Sequence, residues 1–217
     1  MPDPDPMQAY YAARAPYYDD VYEKPERRED IAFLRAHLPA VFAGRTVLEV
    51  ACGTGYWTQY IAAQAAHVTA CDINEAVLEI AREKPIPKGR ATFAKADAFN
   101  PGGLCEGCDA AFAGFWWSHV RKSDLARWLA SMAKSLPSGS LVAMLDNRYV
   151  EGSSTPVSRR DAEGNTYQVR ALLSGETHEV LKNFPTAAEL AEAVRPHARE
   201  ARLEETQYYW LLVFTLK

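Results

Sequence analysis

Short apolar runs punctuate the first two thirds of the chain, and between them apolar positions return with the period of a helix face. "RTVLEVA" (45–51), "HVTACD" (67–72), "ATFAKAD" (91–97), "CDAAFAGF" (108–115) and "SLVAMLD" (140–146) read as strands. "GYWTQYIAAQA" (55–65), "NEAVLEIAREK" (74–84) and "SDLARWLASMAKSL" (123–136) read as helices between them. Asn74 is placed to cap the second, with Pro85 beyond its end. In the third, Leu125, Trp128, Leu129, Met132 and Leu136 recur at helical spacing. Strands alternating with helices predict right-handed crossovers and a parallel sheet. After Asp146 the rhythm changes. Residues 147–185 are polar, and "TYQVRALL" and "THEVLKNF" flank "SGE" as a hairpin would. "TAAELAEAVRP" (186–196) is a helix opened by the capping box Thr186-x-x-Glu189, and "REARLEETQ" and "YYWLLVFTL" are two closing strands. Ahead of all these, residues 7–38 look helical, broken at Pro16.

Length and composition narrow the class. With 217 residues, 48% of them apolar, one domain over 1–217 is the natural count. Net charge is −4 and no basic run or face stands out, which argues against a nucleic-acid partner. Apolar runs are too short and too interrupted to span a membrane. The opening "MPDPDPMQ" resembles neither a signal nor a transit peptide and reads as a frayed tail. Cys105 and Cys108 form a C-x-x-C, but Cys52 and Cys71 sit inside other patterns, so no zinc set is complete. A redox reading lacks its thioredoxin-like context, which leaves reduced thiols of a cytoplasmic protein.

Candidate chemistry begins at "VLEVACGTGYW", where glycines 53 and 55 sit between a strand and a helix. Asp72 ends the next strand, 19 residues after Gly53, at the usual distance for an acidic partner of ribose hydroxyls. An NAD turn would show G-x-G-x-x-G, yet position 58 is Thr. Glu49 falls inside the end of the first strand, and a further acidic anchor, Asp97, follows in "KADAF".

On these residues the chain resembles class I S-adenosylmethionine-dependent methyltransferases of the small-molecule type. Glu49-Val50-Ala51-Cys52-Gly53-Thr54-Gly55 is similar to that family's E/D-x-G-x-G-x-G, with Ala51 at its first glycine. Asp72 matches the second acidic motif, and Ala96-Asp97-Ala98 the adenine-side one. The resemblance implies a Rossmann-like α/β fold. Its seven-stranded, mostly parallel sheet would carry helices on both faces, an N-terminal helical lid (7–38) and a small β insertion after strand 5 (147–185). It implies S-adenosylmethionine as cofactor, held by Glu49, Ala51, Cys52, Gly53, Gly55, Trp57, Asp72, Ile73, Asp97, Ala98, Phe99 and Gly114. From the lid, Tyr11, Arg14 and Tyr18 would join them.

The stretch "GFWWSHV" (114–120) follows the fourth strand, where open parallel sheets bind ligands. His119 is a candidate base, the alternative being a hinge histidine satisfied by backbone. Neighbouring strand residues face opposite ways. Trp117 is therefore assigned to the pocket as a catalytic wall and Trp116 to packing on a flanking helix, while still counted on the substrate side. Tyr149 is a third catalytic candidate. Asn147, Arg148, Tyr167, Arg170 and His178 are candidates for the substrate. Arg148, Arg159, Arg160 and Arg170 either meet a substrate carboxylate or form a solvated surface. No metal is expected, since Asp146 and Asn147 alone make a poor hard-cation site. The expected function is methyl transfer to N or O of a small metabolite by a monomer or homodimer. The alternatives are a cyclase or lyase using the same cofactor, or a non-catalytic binder.

Overall fold

The computed structural model describes residues 6–217, so the first five residues of the expected tail lie outside it. Helix α1 (Pro6–Arg14) starts earlier than a frayed tail would allow. Proline is pre-organised for a first helical turn. Tyr10 then buries against Leu172 and Val180 of the insertion and anchors the turn. The break at Pro16 is real. Tight 3₁₀ turns, Ala15–Tyr22 and Pro25–Arg27, carry the chain to α2 (Arg28–Val41).

The central sheet runs β3-β2-β1-β4-β5-β10-β9. Its parallel part comprises β1 (Thr46–Val50), β2 (His67–Asp72), β3 (Ala91–Lys95), β4 (Ala110–Gly114) and β5 (Leu141–Asn147). The closing strands β9 (Ala198–Glu205) and β10 (Tyr209–Leu216) pair antiparallel, and β10 also lies antiparallel against β5. Strand order reverses between β1 and β4, so a crevice opens beyond the carboxyl ends of these strands.

Each sheet face is covered because strand residues alternate. Val47 joins Ile31, Leu34 and Leu38 of α2, Phe42 just past its end and Ile61 of α3 (Tyr56–Ile61) on one side. Leu48 and Val50 join Trp128, Leu129 and Met132 of α5 (Lys122–Ser135) and Leu190 and Val194 of α6 (Ala187–Val194) on the other. The helix α4 (Glu75–Arg82) is capped by Asn74, whose side chain accepts the Ala76 N–H, and the Thr186–Glu189 capping box is closed.

Helix α3 is shorter than its periodicity predicts. Gly55 takes a left-handed φ of 72° and stands outside it. At the other end, the Ala66 N–H donates to the Arg45 carbonyl and the Gly44 N–H to the Gln64 carbonyl, which pulls the chain towards the sheet. The insertion is a second sheet of β6 (Arg159–Arg160), β7 (Thr166–Ala171) and β8 (Thr177–Leu181). It sits with α1 over the open ends of the large sheet.

Candidate active site

Two cavities share that crevice. The larger, about 500 Å³, is lined by Ala51, Gly53, Asp72, Ile73, Asp97 and Phe99 from the ends of β1 to β3 and by Gly114 and Trp116 from the end of β4. The Asp72 carboxylate ties this wall together: one oxygen accepts the Gly53 N–H at 3.0 Å and the other the Asn74 N–H at 2.9 Å. Each oxygen keeps a lone pair for a ligand hydroxyl. Ala51 holds the turn at φ 51°, a left-handed conformation that costs an alanine about 1–2 kcal/mol. Gly55 must be small as well, since an added Cβ would stand 3.0 Å from that of Ala81. At Gly114 a Cβ would meet the Phe112 ring at 2.9 Å.

Glu49 lies behind the turn, 2% exposed, with Oε2 unpartnered among the described residues. Burial, with the Asp72 charge adding to it, pushes its carboxyl up to about 8.

The smaller cavity, about 390 Å³, opens between the N-terminal segment, the insertion and the ends of β4 and β5. It meets the larger one at Tyr18, Phe115 and His119, which line both. Phe115 turns into this junction because its backbone is left-handed, φ 58°. His119 sits in a defined tautomer. Its Nδ1 donates to the Leu181 carbonyl at 2.7 Å, an acceptor only, so Nε2 carries a lone pair and takes the Tyr11 hydroxyl at 2.8 Å. Burial, then the charges of Lys182 and Arg170, hold the imidazole well below its ordinary range. Burial pushes the Tyr11 and Tyr18 phenols up. The pair is therefore neutral near pH 7.

Of the residues assigned to the cofactor from the sequence, Ala51, Gly53, Asp72, Ile73, Asp97, Ala98, Phe99, Gly114, Tyr11 and Tyr18 line the larger cavity. Glu49, Cys52, Gly55 and Trp57 stand behind its wall instead, and Arg14 lines the smaller cavity.

The two tryptophans exchange the places expected for them. Trp117, in a 3₁₀ turn, is 4% exposed and packs edge-on against Trp128 and Trp210 in the core. Trp116 packs edge-on against Phe99 in the cavity wall, its Nε1 without a partner among the described residues. Strand alternation fails here because β4 ends at Gly114 and the left-handed Phe115 turns the chain before either indole.

On the substrate side Asn147 and Arg170 line the smaller cavity and Tyr167 the larger. Tyr149 lies outside both, exposed and edge-on to Phe184. His178 lies outside too, packed on the Tyr10 ring. Arg148 pairs with Glu205 and Arg159 with Glu179 at the surface, and exposed Arg160 donates to the Gly164 carbonyl. Sequence reading missed Lys24, Arg27 and Lys182. Arg27 hides in the charged run "KPERRED". Lys182 had a legible signal, since it shares a hairpin face with Val180, two residues before it. All four cysteines are free thiols.

Residues 47–139 match the methyltransferase domain family. A stretch of 68 residues is 40% identical to a demethylmenaquinone methyltransferase of Clavibacter sepedonicus, covering 31% of this chain and 27% of that protein. The chain thus matches only about a quarter of that relative's length. Among solved structures, a DhpI–SAM–HEP complex superposes with a TM-score of 0.74 at 24% identity, over 96% of this chain and 95% of that one. The cyclase SpnF does so with a TM-score of 0.62 at 18% identity, over 94% and 77%. The chain has the fold of class I S-adenosylmethionine-dependent methyltransferases, and its residues 47–139 match the methyltransferase domain family.

Proposed function

We propose that this protein transfers the methyl group of S-adenosylmethionine to an oxygen or nitrogen of a small molecule seated in the smaller cavity. One observation carries the reading: two cavities, one with the donor set of a nucleoside site, meet at a junction of three side chains. The residues present fit the cofactor. Asp72 offers its carboxylate to ribose hydroxyls. Ile73, 40% exposed although apolar, offers a face for a flat ring. The buried Glu49 carboxyl, whose Oε2 has no partner among the described residues, would ionise beside a ligand's positive charge. When bound, the cofactor supplies an electrophilic methyl on a sulfonium sulfur.

The chain's own residues then position and desolvate the acceptor. Tyr18 and Phe115 exclude water from the junction. The neutral Tyr11–His119 pair is placed to take a proton from an acceptor hydroxyl or amine, through the Tyr11 oxygen. No helix among the described residues is long and apolar enough to cross a membrane, and a cytoplasmic location is proposed from the four free thiols.

The test is incubation with S-adenosylmethionine and a metabolite extract, followed by mass. S-adenosylhomocysteine together with a product 14 mass units heavier than its precursor (about one CH2) is the expected outcome. Methylthioadenosine would mark cyclisation or cleavage instead, and neither product would leave a binder.

A further inference from the structure

The smaller cavity has a charge that the rest of the molecule does not. The chain carries a net −4, yet Arg14, Lys24, Arg27, Arg170 and Lys182 all line this one space, and no carboxylate does so among the described residues. They come from three separate parts of the chain: the N-terminal helix and turns, β7, and the residue after β8. Of these cations only Lys182 has an acidic partner among the described residues, Asp146, at 2.9 Å beneath it. At the cavity edge, the Glu26 carboxylate accepts the Ser153 hydroxyl at 2.8 Å.

The remaining four cations are held by neutral groups. Lys24 and Arg27 both donate to the Ser153 carbonyl, at 3.1 and 3.2 Å. Arg14 donates to the Tyr10 hydroxyl at 2.6 Å, and Arg170 to Gln168 Oε1 at 2.7 Å and weakly to the Tyr11 hydroxyl at 3.4 Å. The Arg14 Nε is buried and has no hydrogen-bond partner among the described residues.

Holding cations together away from water is costly unless an anion joins them. The strain registers on the groups that can titrate. Burial first, and then the charges of Arg27, Arg14 and Arg170, pull the Lys24 ammonium down. Burial, followed by Arg170 and then Arg27, does the same to Lys182 despite Asp146. Guanidinium groups on fixed neutral partners are suited to a compact oxyanion, whose oxygens accept several charge-assisted bonds at once. A lone apolar quinone would leave these donors unpaired.

We infer that the acceptor substrate carries a compact oxyanion — a phosphoryl, phosphonyl or carboxylate group — and that Arg14 and Arg170 grip it beside the Tyr18–Phe115–His119 junction, with Lys24, Arg27 and Lys182 completing the cationic wall. Through Arg170 and Tyr11 the grip touches the junction itself, so the anion sits within a few bonds of the methylated atom. The inference rests on the methyltransferase reading only for the word acceptor; the anion site stands without it.

Calorimetry on the full chain tests it, with S-adenosylhomocysteine titrated first and then inorganic phosphate, methylphosphonate or acetate. Wild type is expected to bind at least one of the three probes. Binding of phosphate or methylphosphonate with little of acetate assigns a tetrahedral head, and the reverse a carboxylate. Arg14→Gln and Arg170→Gln are each expected to weaken the bound probe about 10- to 100-fold, the loss of a charge-assisted contact. The same variants should keep S-adenosylhomocysteine affinity within about threefold, which also shows that they fold. Arg195→Gln, whose residue pairs with Glu192 at the surface, serves as the control. No binding of any probe by wild type that does bind S-adenosylhomocysteine overturns the anion site and leaves the methyltransferase reading standing. So does equal weakening in Arg195→Gln. Probe binding without any S-adenosylhomocysteine binding overturns the methyltransferase reading and leaves the anion site.

Discussion

At the scale of single residues, the neighbouring indoles and Glu49 separate packing from chemistry. Trp117 fills core between Trp128 and Trp210, so Trp117→Ala should cost roughly 3–5 kcal/mol of stability. Trp116→Ala should fold normally, because one face of the indole borders the larger cavity, and should weaken S-adenosylhomocysteine binding. Thermal melts beside calorimetry check the pair, and the opposite pattern would return Trp117 to the site. Glu49 makes a different prediction. Its carboxyl is raised to about 8 by burial, whereas an unfolded chain ionises it near 4.5. Its contribution to stability is thus fully present below about 4.5 and is lost as pH rises through about 8. Without cofactor, Glu49→Gln should therefore raise the melting temperature at pH 8 by a few degrees, and hardly change it at pH 5. A variant less stable than wild type at pH 8 would count against a strained carboxyl there.

At the scale of elements, the N-terminal segment is held over the cavities by a few polar pins. Asp19 accepts the Thr54 hydroxyl from the glycine turn and pairs with Lys84 beyond α4. Arg27 donates to Ser153 and Asn147 in the insertion. The covering part ends at Arg27. Helix α2, expected to belong to the lid, packs its Ile31, Leu34 and Leu38 on the sheet and is part of the main core. Asp19→Ala should leave the sheet intact, with a stability loss of roughly 1–3 kcal/mol, since this largely buried pair loses its charge and the Thr54 hydroxyl its acceptor. It should speed proteolytic cleavage within residues 6–27 and weaken S-adenosylhomocysteine binding several-fold. Limited proteolysis read by mass, with and without S-adenosylhomocysteine, decides the matter, and an unchanged cleavage pattern would mean that this pin does not hold the segment.

At the scale of the whole molecule, His119 stands where sheet, insertion and N-terminal segment meet, and its charge state couples all three to pH. Burial and the Lys182 and Arg170 charges keep it neutral in the fold below the ordinary value of 6.5. The unfolded chain then takes up a proton that the folded one refuses, so His119's contribution is present above about 6.5 and is lost as pH falls below it. Melting temperatures of wild type should drop more between about pH 7.5 and 5.5 than those of His119→Gln. Equal drops would mean that His119 charges freely in the fold.

The alternating strands and helices, the glycine turn with Asp72 and Asp97, the hairpin and the capping box were all legible in the sequence. Each is a local pattern: period, cap or spacing alone dictates it. What the sequence by itself determined is therefore the alternation of strands and helices in an α/β sheet and most residues in the wall of the cofactor-type cavity. The tertiary structure alone decided which indole faces the cavity, because one left-handed residue, Phe115, cancels strand alternation. It decided that Arg148, Arg159 and Arg160 spend themselves at the surface while Arg14, Lys24, Arg27, Arg170 and Lys182 converge. A side chain's charge is written in the sequence, but the field it makes depends on neighbours brought from as far as 168 positions along the chain, the separation of Arg14 and Lys182.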